Sequence, residues 1–398
     1  MTKKTTIIIV CGGLILSLAM GIRQTFGLFM TPVTGELGIG REGFALAMAV
    51  QNLLWGAFQP LTGMIADKFG AARVIAAGAL VYAAGLLVMA NMTDIAGLQL
   101  GGGVLIGLAM AATGFSVVLG AVARAVPQET RSMALGVVSA GGSFGQFAMA
   151  PVGQALISAQ GWSGAFFAMA VLSVLMVPLA LAVAGRPKEE RGHQTETQSL
   201  AQALKEAGGH RGFIYLTTGF FVCGFQVVFV AVHLPAYLVD LGLPTATGAM
   251  ALALIGIFNI AGTFACGALG GRYSKKRVLA ALYVLRALVI AAFLVAPKSE
   301  ITVYVFAAAL GLLWLGTVPL TSGLVGQIFG VRYLSTLFGI VFFGHQLGSF
   351  LGVWLGGVVY DATGSYDTIW IASIILGFAA ALIHLPIAER PVRLLVDG

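Results

Sequence analysis

Gly21-Ile22-Arg23-Gln24-Thr25-Phe26-Gly27-Leu28-Phe29-Met30-Thr31-Pro32 closes an apolar run that opens at Ile7, and it sets a guanidinium inside that run. Read as a helix, the chain covers about 24 Å from Ile7 to Arg23 and about 13 Å more to Pro32. A bilayer core is roughly 30 Å thick, so the run is long enough to cross it. Arg23 then lies too deep to snorkel easily to either surface. A charge at that depth costs at least about 2.5 kcal/mol, so it has to face protein, water or a ligand.

The rest of the composition agrees with a membrane setting. Of 398 residues, 59% are hydrophobic and 9% charged, with a mean hydropathy of +0.96. This excludes soluble, fibrous and disordered classes. The 55 glycines suit close helix packing in lipid. The net charge of +7 is no nucleic-acid patch, because the basic residues fall between apolar runs. Cys11, Cys223 and Cys266 all lie within such runs, which argues against a disulfide framework or a cysteine metal site. Lys3 and Lys4 before the first run mimic a signal peptide. Further runs follow throughout the chain, so the first one reads as an uncleaved span.

Twelve spans are expected, at 7–33, 43–66, 73–91, 98–123, 132–158, 164–184, 213–239, 246–270, 277–296, 301–328, 334–360 and 367–387. With the N-terminus inside, eighteen of the 22 Lys and Arg residues fall on the cytoplasmic side and only Arg41 and Lys298 outside. This bias predicts a multi-pass protein of the plasma (inner) membrane with both termini cytoplasmic. The polar stretch from Gly185 to Gly212, with a short helical segment at 199–207, reads as a linker. The domains expected are thus a six-helix half at 1–185, a cytoplasmic linker at 186–211 and a second six-helix half at 212–398.

The halves repeat at an offset of 203 or 204. Gly21, Arg23, Phe26 and Pro32 meet Gly224, Gln226, Phe229 and Pro235. Gly63 and Arg73 meet Gly267 and Arg277, while Gly136, Gly145 and Gly153 meet Gly339, Gly348 and Gly356. The expected fold is an all-α membrane protein of twelve helices in two pseudo-symmetric halves, with a pathway between them.

Gly63-Met64-Ile65-Ala66-Asp67-Lys68-Phe69-Gly70-Ala71-Ala72-Arg73 resembles the loop signature G-x-x-x-D-[RK]-x-G-x-x-R of the major facilitator superfamily, and it sits between spans 2 and 3 as in that family. The resemblance covers the whole chain. It implies the major facilitator fold, with a cavity lined by spans 1, 4, 7 and 10 and parts of 2, 5, 8 and 11. It also implies a cytoplasmic latch built from Gly63, Asp67, Lys68, Gly70 and Arg73, against the plainer reading of a turn with topology charges. Arg332-Tyr333-Leu334-Ser335-Thr336-Leu337-Phe338-Gly339 and Gly357-Val358-Val359-Tyr360-Asp361-Ala362-Thr363-Gly364-Ser365-Tyr366 resemble the monocarboxylate transporter and oxalate/formate-exchanging group. That group keeps a Lys in span 1, near the place of Arg23. It also keeps an Asp–Arg pair in span 8, where this chain has Asn259 and Thr263, so the carboxylate clamp and the proton-linked acid of the group are missing here.

Only Arg23 and Arg286 put a charge deep in a span, and no acid lies at matching depth. Arg presents a fork that fits a carboxylate, so a substrate anion would supply the missing charge at Arg23. The alternative is a structural Arg bonded to neighbouring helices. Arg286 has an uncertain role, with bracing of spans 8 and 10 as one reading, and Tyr82 is its counterpart in the repeat. Gln226, Thr113, Asn259 and Thr317 are further substrate-binding candidates on inner faces, each equally open to a packing role. Phe26, Phe115, Trp314 and Phe342 offer an apolar wall. With no carboxylate in a span, His345 and His233 are the proton-coupling candidates, His345 also for binding.

Other chemistry is not visible. There is no Walker loop, no metal-ligand spacing and no nucleophile elbow, so no enzyme, cofactor or metal is expected. The reading is a monomeric secondary transporter in the lipid bilayer for a small organic anion, monocarboxylate-like, coupled to protons by alternating access. The alternative is an efflux antiporter for amphipathic drugs or metabolites, suggested by Gly141, Gly142, Gly145 and Pro151 in span 5.

Overall fold

The computed structural model describes residues 3–126, 128–183, 199–330 and 333–392, and among these every regular element is helical. That follows from the solvent, since backbone groups in lipid have to be satisfied within the segment. Span 1 is Lys3–Gln24 continued by Phe26–Leu37, span 2 is Arg41–Phe69 and span 3 is Ala71–Ala90. Span 4 begins at Ile95–Leu98, passes through a π-helical stretch at Gln99–Leu105 and continues as Ile106–Thr113 and Phe115–Ala125. Spans 5 and 6 share Gln128–Val174, interrupted only at Gly161 (φ 69°, ψ 177°), and end in Met176–Ala182.

Spans 7, 8 and 9 are Arg211–Asp240, Thr245–Arg272 and Lys275–Val295. Span 10 is two helices, Glu300–Leu312 and Thr317–Phe329; spans 11 and 12 are Leu334–Thr363 and Asp367–His384. Among the described residues, ten segments are long and apolar enough to cross a membrane. One of them, Met133–Ala182, is the two spans divided at Gly161. Span 2 completes the twelve, its apolar run diluted by Gln51, Asn52 and Gln59. The linker holds a helix at Leu200–Gly209 with a capping box between Ser199 and Gln202, while residues 186–198 lie outside the described residues.

The repeat read in the sequence is a packing repeat. Span 1 crosses span 5 so closely that a Cβ on Gly145 would collide with the Ser17 carbonyl. Span 7 crosses span 11 in the same way at Gly348 and Phe221. Gly141 against Gly13 and Gly344 against Thr217 continue the match one turn away. Small residues let two backbones approach where lipid gives no hydrophobic drive to associate. These glycines therefore have a structural cause in span 5, the stretch that suggested an efflux antiporter.

The halves touch through spans 2 and 11 and through spans 5 and 8. Gly56 packs on Gln346, Gly357 on Glu42 and Ala45, and Gly256 on Ser143 and Phe147. Nearer the end that carries the termini, no described atom of another helix comes within 4 Å of a Cβ built on Gly63, Gly136, Gly267 or Gly339. Met64 and Phe264 are exposed there. The halves meet at the far end and at mid-depth, and part toward the termini.

Candidate functional site

Arg23 lies in the last turn of the first helical segment of span 1, two residues before the interruption at Thr25. Its Nε donates to Gln51 Oε1 at 3.1 Å and its Nη2 to Asn52 Oδ1 at 2.5 Å. Both carboxamides are fixed from behind, because Gln51 donates to the Gly102 carbonyl and Asn52 to the Met48 carbonyl. The guanidinium also lies 5.1 Å from the Trp55 ring centroid, a cation–π distance. All of these partners are neutral, and its Nη1 bonds to no described residue. Arg23 lines a cavity of about 10 Å³ with Gly27, Met48, Gln51 and Asn52 of one half and Val228, Ala231 and Val232 of the other. That is room for about one water, so anything larger needs the halves to move apart.

The second half uses the same depth differently. Gln226, the repeat partner of Arg23, donates to the Ser373 carbonyl at 2.7 Å and accepts from Arg286 at 3.2 Å. It is turned toward spans 9 and 12. Arg286, 1% exposed, donates to the carbonyls of Leu313 and Trp314 in the break of span 10 and to Cys223 Sγ. It therefore ties span 7 to span 10, a correction to the expected bracing of spans 8 and 10. The counterpart Tyr82 donates to the Ala19 carbonyl, so both side chains reach back to equivalent turns of spans 1 and 7. The cation is carried by span 1 in one half and by span 9 in the other.

The remaining candidates are scattered around this depth. Thr113 donates to the Ala109 carbonyl just before span 4 breaks at Gly114, whose ψ is −172°. Thr317 opens the second part of span 10 and contacts Cys223 at 3.3 Å. Asn259 donates to Ser143 in the opposite half and accepts from Thr263 and from the Leu315 N–H in the span 10 break. The two positions aligned with the Asp–Arg pair are thus bonded to one another. His345 contacts Gln346 and Ser349 through Nδ1 and stacks on Phe342, with centroids 5.6 Å apart. Phe342 in turn meets Trp55 at 5.6 Å, so an aromatic path links His345 to the ring over which Arg23 lies. His233 lies apart from this group, bonded to Tyr366 and the Val353 carbonyl.

Broken helices at matching places in spans 4 and 10, flanking a seam between two repeats, are a feature of carriers. A sequence model of the Major Facilitator Superfamily matches residues 11–270 and 249–396. The chain belongs to that superfamily. Among transporters of known sequence, it is 27% identical over 376 residues to monocarboxylate transporter 13 of Rattus norvegicus, covering 93% of this chain and 86% of that one. It is 22% identical over 393 residues to the oxalate:formate antiporter of Oxalobacter formigenes, covering 96% and 92%. It also superposes on a bacterial homologue of the human lysosomal transporter Spinster, crystallised in an inward-facing and unoccupied conformation. There the TM-score is 0.81 at 14% identity, over 96% of this chain and 97% of that one, a likeness of fold.

Within this superfamily member the loop between spans 2 and 3 turns at Gly70, whose φ of 95° favours glycine. Lys68 Nζ lies 5.2 Å from the Phe69 ring and Arg73 is exposed, while the Asp67 side chain lies outside the described residues. Gly63 is free of neighbouring helices, as noted above. Sequence reasoning missed Gln51 and Trp55 as partners of Arg23. The polar interruption of span 2 was the available signal.

Proposed function

We propose that this transporter carries a small organic anion of the monocarboxylate type together with protons, by alternating access at a site centred on Arg23. The carrying observation is a guanidinium at the seam between the halves, held by two oriented carboxamides with no acid among its described partners. An uncompensated cation at that depth is costly unless an anion completes it. The names of the relatives, a monocarboxylate transporter and an oxalate:formate antiporter, point the same way. Thr113, Asn259 and Thr317, at the breaks of spans 4 and 10, would shape the site around the anion. Gln226 and Arg286 would support it from behind. His345, on the aromatic path from Arg23, is the first candidate for the proton and His233 the second.

The same reading has the chain act as a monomer in the inner membrane with both termini cytoplasmic, on the strength of the basic residues near the termini end. Its domains would be 1–185 and 212–398, joined by 186–211, with the Gly63–Arg73 loop latching the cytoplasmic end. The test is uptake of radiolabelled monocarboxylates into proteoliposomes under an inward proton gradient. Accumulation that collapses with a protonophore and is lost in Arg23→Gln is expected. Full accumulation by Arg23→Gln would remove the anion site from Arg23.

A further inference from the structure

The ion pair among the described residues lies at the far end of the bundle and joins the two halves. Arg41 opens span 2, and its Nη1 and Nη2 donate to the two carboxylate oxygens of Asp240, each at 2.7 Å. Asp240 closes span 7 in the opposite half. The same guanidinium donates to the Tyr366 hydroxyl at 2.9 Å and lies 3.8 Å from the Tyr360 ring centroid.

A second acid works on the same helix start. Asp361, near the end of span 11, accepts the backbone N–H groups of Arg41 at 3.0 Å and Glu42 at 2.8 Å. The residue at the cap position of span 2 is Gly40, which has no side chain to accept those donors. The first N–H groups of a helix need outside partners, and a carboxylate there also meets the positive end of the helix dipole. Span 2 is therefore capped by the other half of the protein.

Tyr366 carries the contact inward. An arginine can only donate and a carbonyl can only accept, which fixes the direction of each bond. The Tyr366 oxygen accepts a hydrogen bond from Arg41, so its own hydrogen points to His233 Nδ1 at 3.0 Å, a better acceptor than the Met30 sulfur at 3.9 Å. His233 Nε2 then donates to the Val353 carbonyl at 2.8 Å.

The sequence marks the device. Gly357-x-x-x-Asp361-x-x-Gly364 at the far end of span 11 has the spacing of Gly63-x-x-x-Asp67-x-x-Gly70 at the termini end of span 2. Both closing glycines take positive φ, 71° and 95°. Spans 2 and 11 face each other between the halves, so the same local motif stands at opposite ends of one helix pair.

We propose that Arg41, Asp240, Asp361 and Tyr366 form the far-end gate of this transporter. Intact, the gate holds the far end shut while the halves stand apart toward the termini, and opening to the far side requires the bonds of Arg41 and Glu42 to Asp240, Asp361 and Tyr366 to break. Partial exposure, 11% for the Arg41 side chain and 30% for Asp240, suits a contact that forms and breaks in each cycle rather than a permanent lock. The gate is independent of which substrate is carried.

Met30 reports on it, being fully buried beneath Tyr366. The full chain carrying Met30→Cys is placed in nanodiscs and labelled with a hydrophilic maleimide, with labelling of the parent chain subtracted. Slow labelling is expected with the gate intact. Asp240→Asn, Asp361→Asn and Tyr366→Phe should each raise the rate about tenfold or more. Arg41→Gln should raise it further, and Arg41→Gln with Asp240→Asn no further than Arg41→Gln alone. Unchanged labelling in variants that elute and melt like the parent overturns the gate. A rise confined to Arg41→Gln overturns the roles of Asp361 and Tyr366. Should the charge variants aggregate, Tyr366→Phe removes a single hydroxyl and decides alone.

Discussion

The Arg286 guanidinium donates to the main-chain oxygen of Trp314 at 2.7 Å, across from span 9 to the interrupted middle of span 10. It takes the neighbouring Leu313 carbonyl as well, so it caps the end of Glu300–Leu312 with a positive charge at the negative end of that half-helix. Asn259 completes the break from the other side by accepting the Leu315 N–H. The two intramembrane arginines are thus set to different tasks: Arg286 satisfies a broken backbone, while Arg23 lies at the seam among neutral side chains.

Arg286→Gln is expected to lower stability. Buried carbonyls would lose their donors, at about 1–3 kcal/mol each. The melting midpoint in detergent should fall by several degrees, with Arg286→Lys in between because an ammonium lacks the fork. The protein that stays folded should keep its anion affinity within a fewfold. A melt unchanged by Arg286→Gln would remove the structural role.

Arg23→Gln should show the reverse pattern. The substitution frees Gln51 and Asn52 but also removes a charge that lipid disfavours, so the two effects on stability oppose and the melt should move little. A charge-assisted bond to a carboxylate is worth about 1.5–3 kcal/mol, which is roughly a 10- to 100-fold loss of anion affinity. Isothermal titration with a panel of carboxylates measures it. Equal losses of melt and affinity in both arginine variants would erase the distinction drawn between them.

The twelve spans and the repeat were legible because lipid imposes long apolar runs, and because glycines such as Gly145 and Gly348 sit where backbones cross. Arg23 was legible as a charge too deep to ignore. The breaks in spans 4 and 10 were not. Their neighbourhoods, Thr113-Gly114 and Trp314-Leu315-Gly316, are as apolar as unbroken helix, and the cause lies in distant partners such as Arg286 and Asn259. The far-end gate was hidden for a related reason. Arg41, Asp240 and Asp361 each look like an ordinary loop charge, and only the fold brings positions 199 and 320 residues from Arg41 together.

Proton coupling at His345 has its own signature. His345→Gln should abolish uptake driven by a proton gradient while leaving exchange of labelled for unlabelled anion, which needs no net proton movement. The His345 ring meets Gln346, Ser349 and Phe342, so glutamine keeps a hydrogen-bonding group of similar size there. Retained gradient-driven uptake in His345→Gln together with its loss in His233→Gln would move the proton to the gate side.

Two classes of glycine should respond to alanine with opposite sign. At Gly145 and Gly348 a Cβ meets the Ser17 or Phe221 carbonyl, and the helices have to separate to admit it. Overpacking of this kind costs about 1–3 kcal/mol, so both variants should lower the melt, and by similar amounts because the sites are repeats of one another. Gly63, Gly136, Gly267 and Gly339 sit in helix interiors with no described neighbour helix in reach. Alanine there should stabilise the helix by up to about 1 kcal/mol. Yet these four lie on the two helix pairs that join the halves, at the end where the halves now part. If that end closes during transport, the added methyl groups obstruct the closed state, and turnover should fall about tenfold while the melt holds or rises. Comparing turnover with melting across the six variants tests both halves of the statement; undiminished turnover in all four open-end variants would mean that the termini end closes along some other surface.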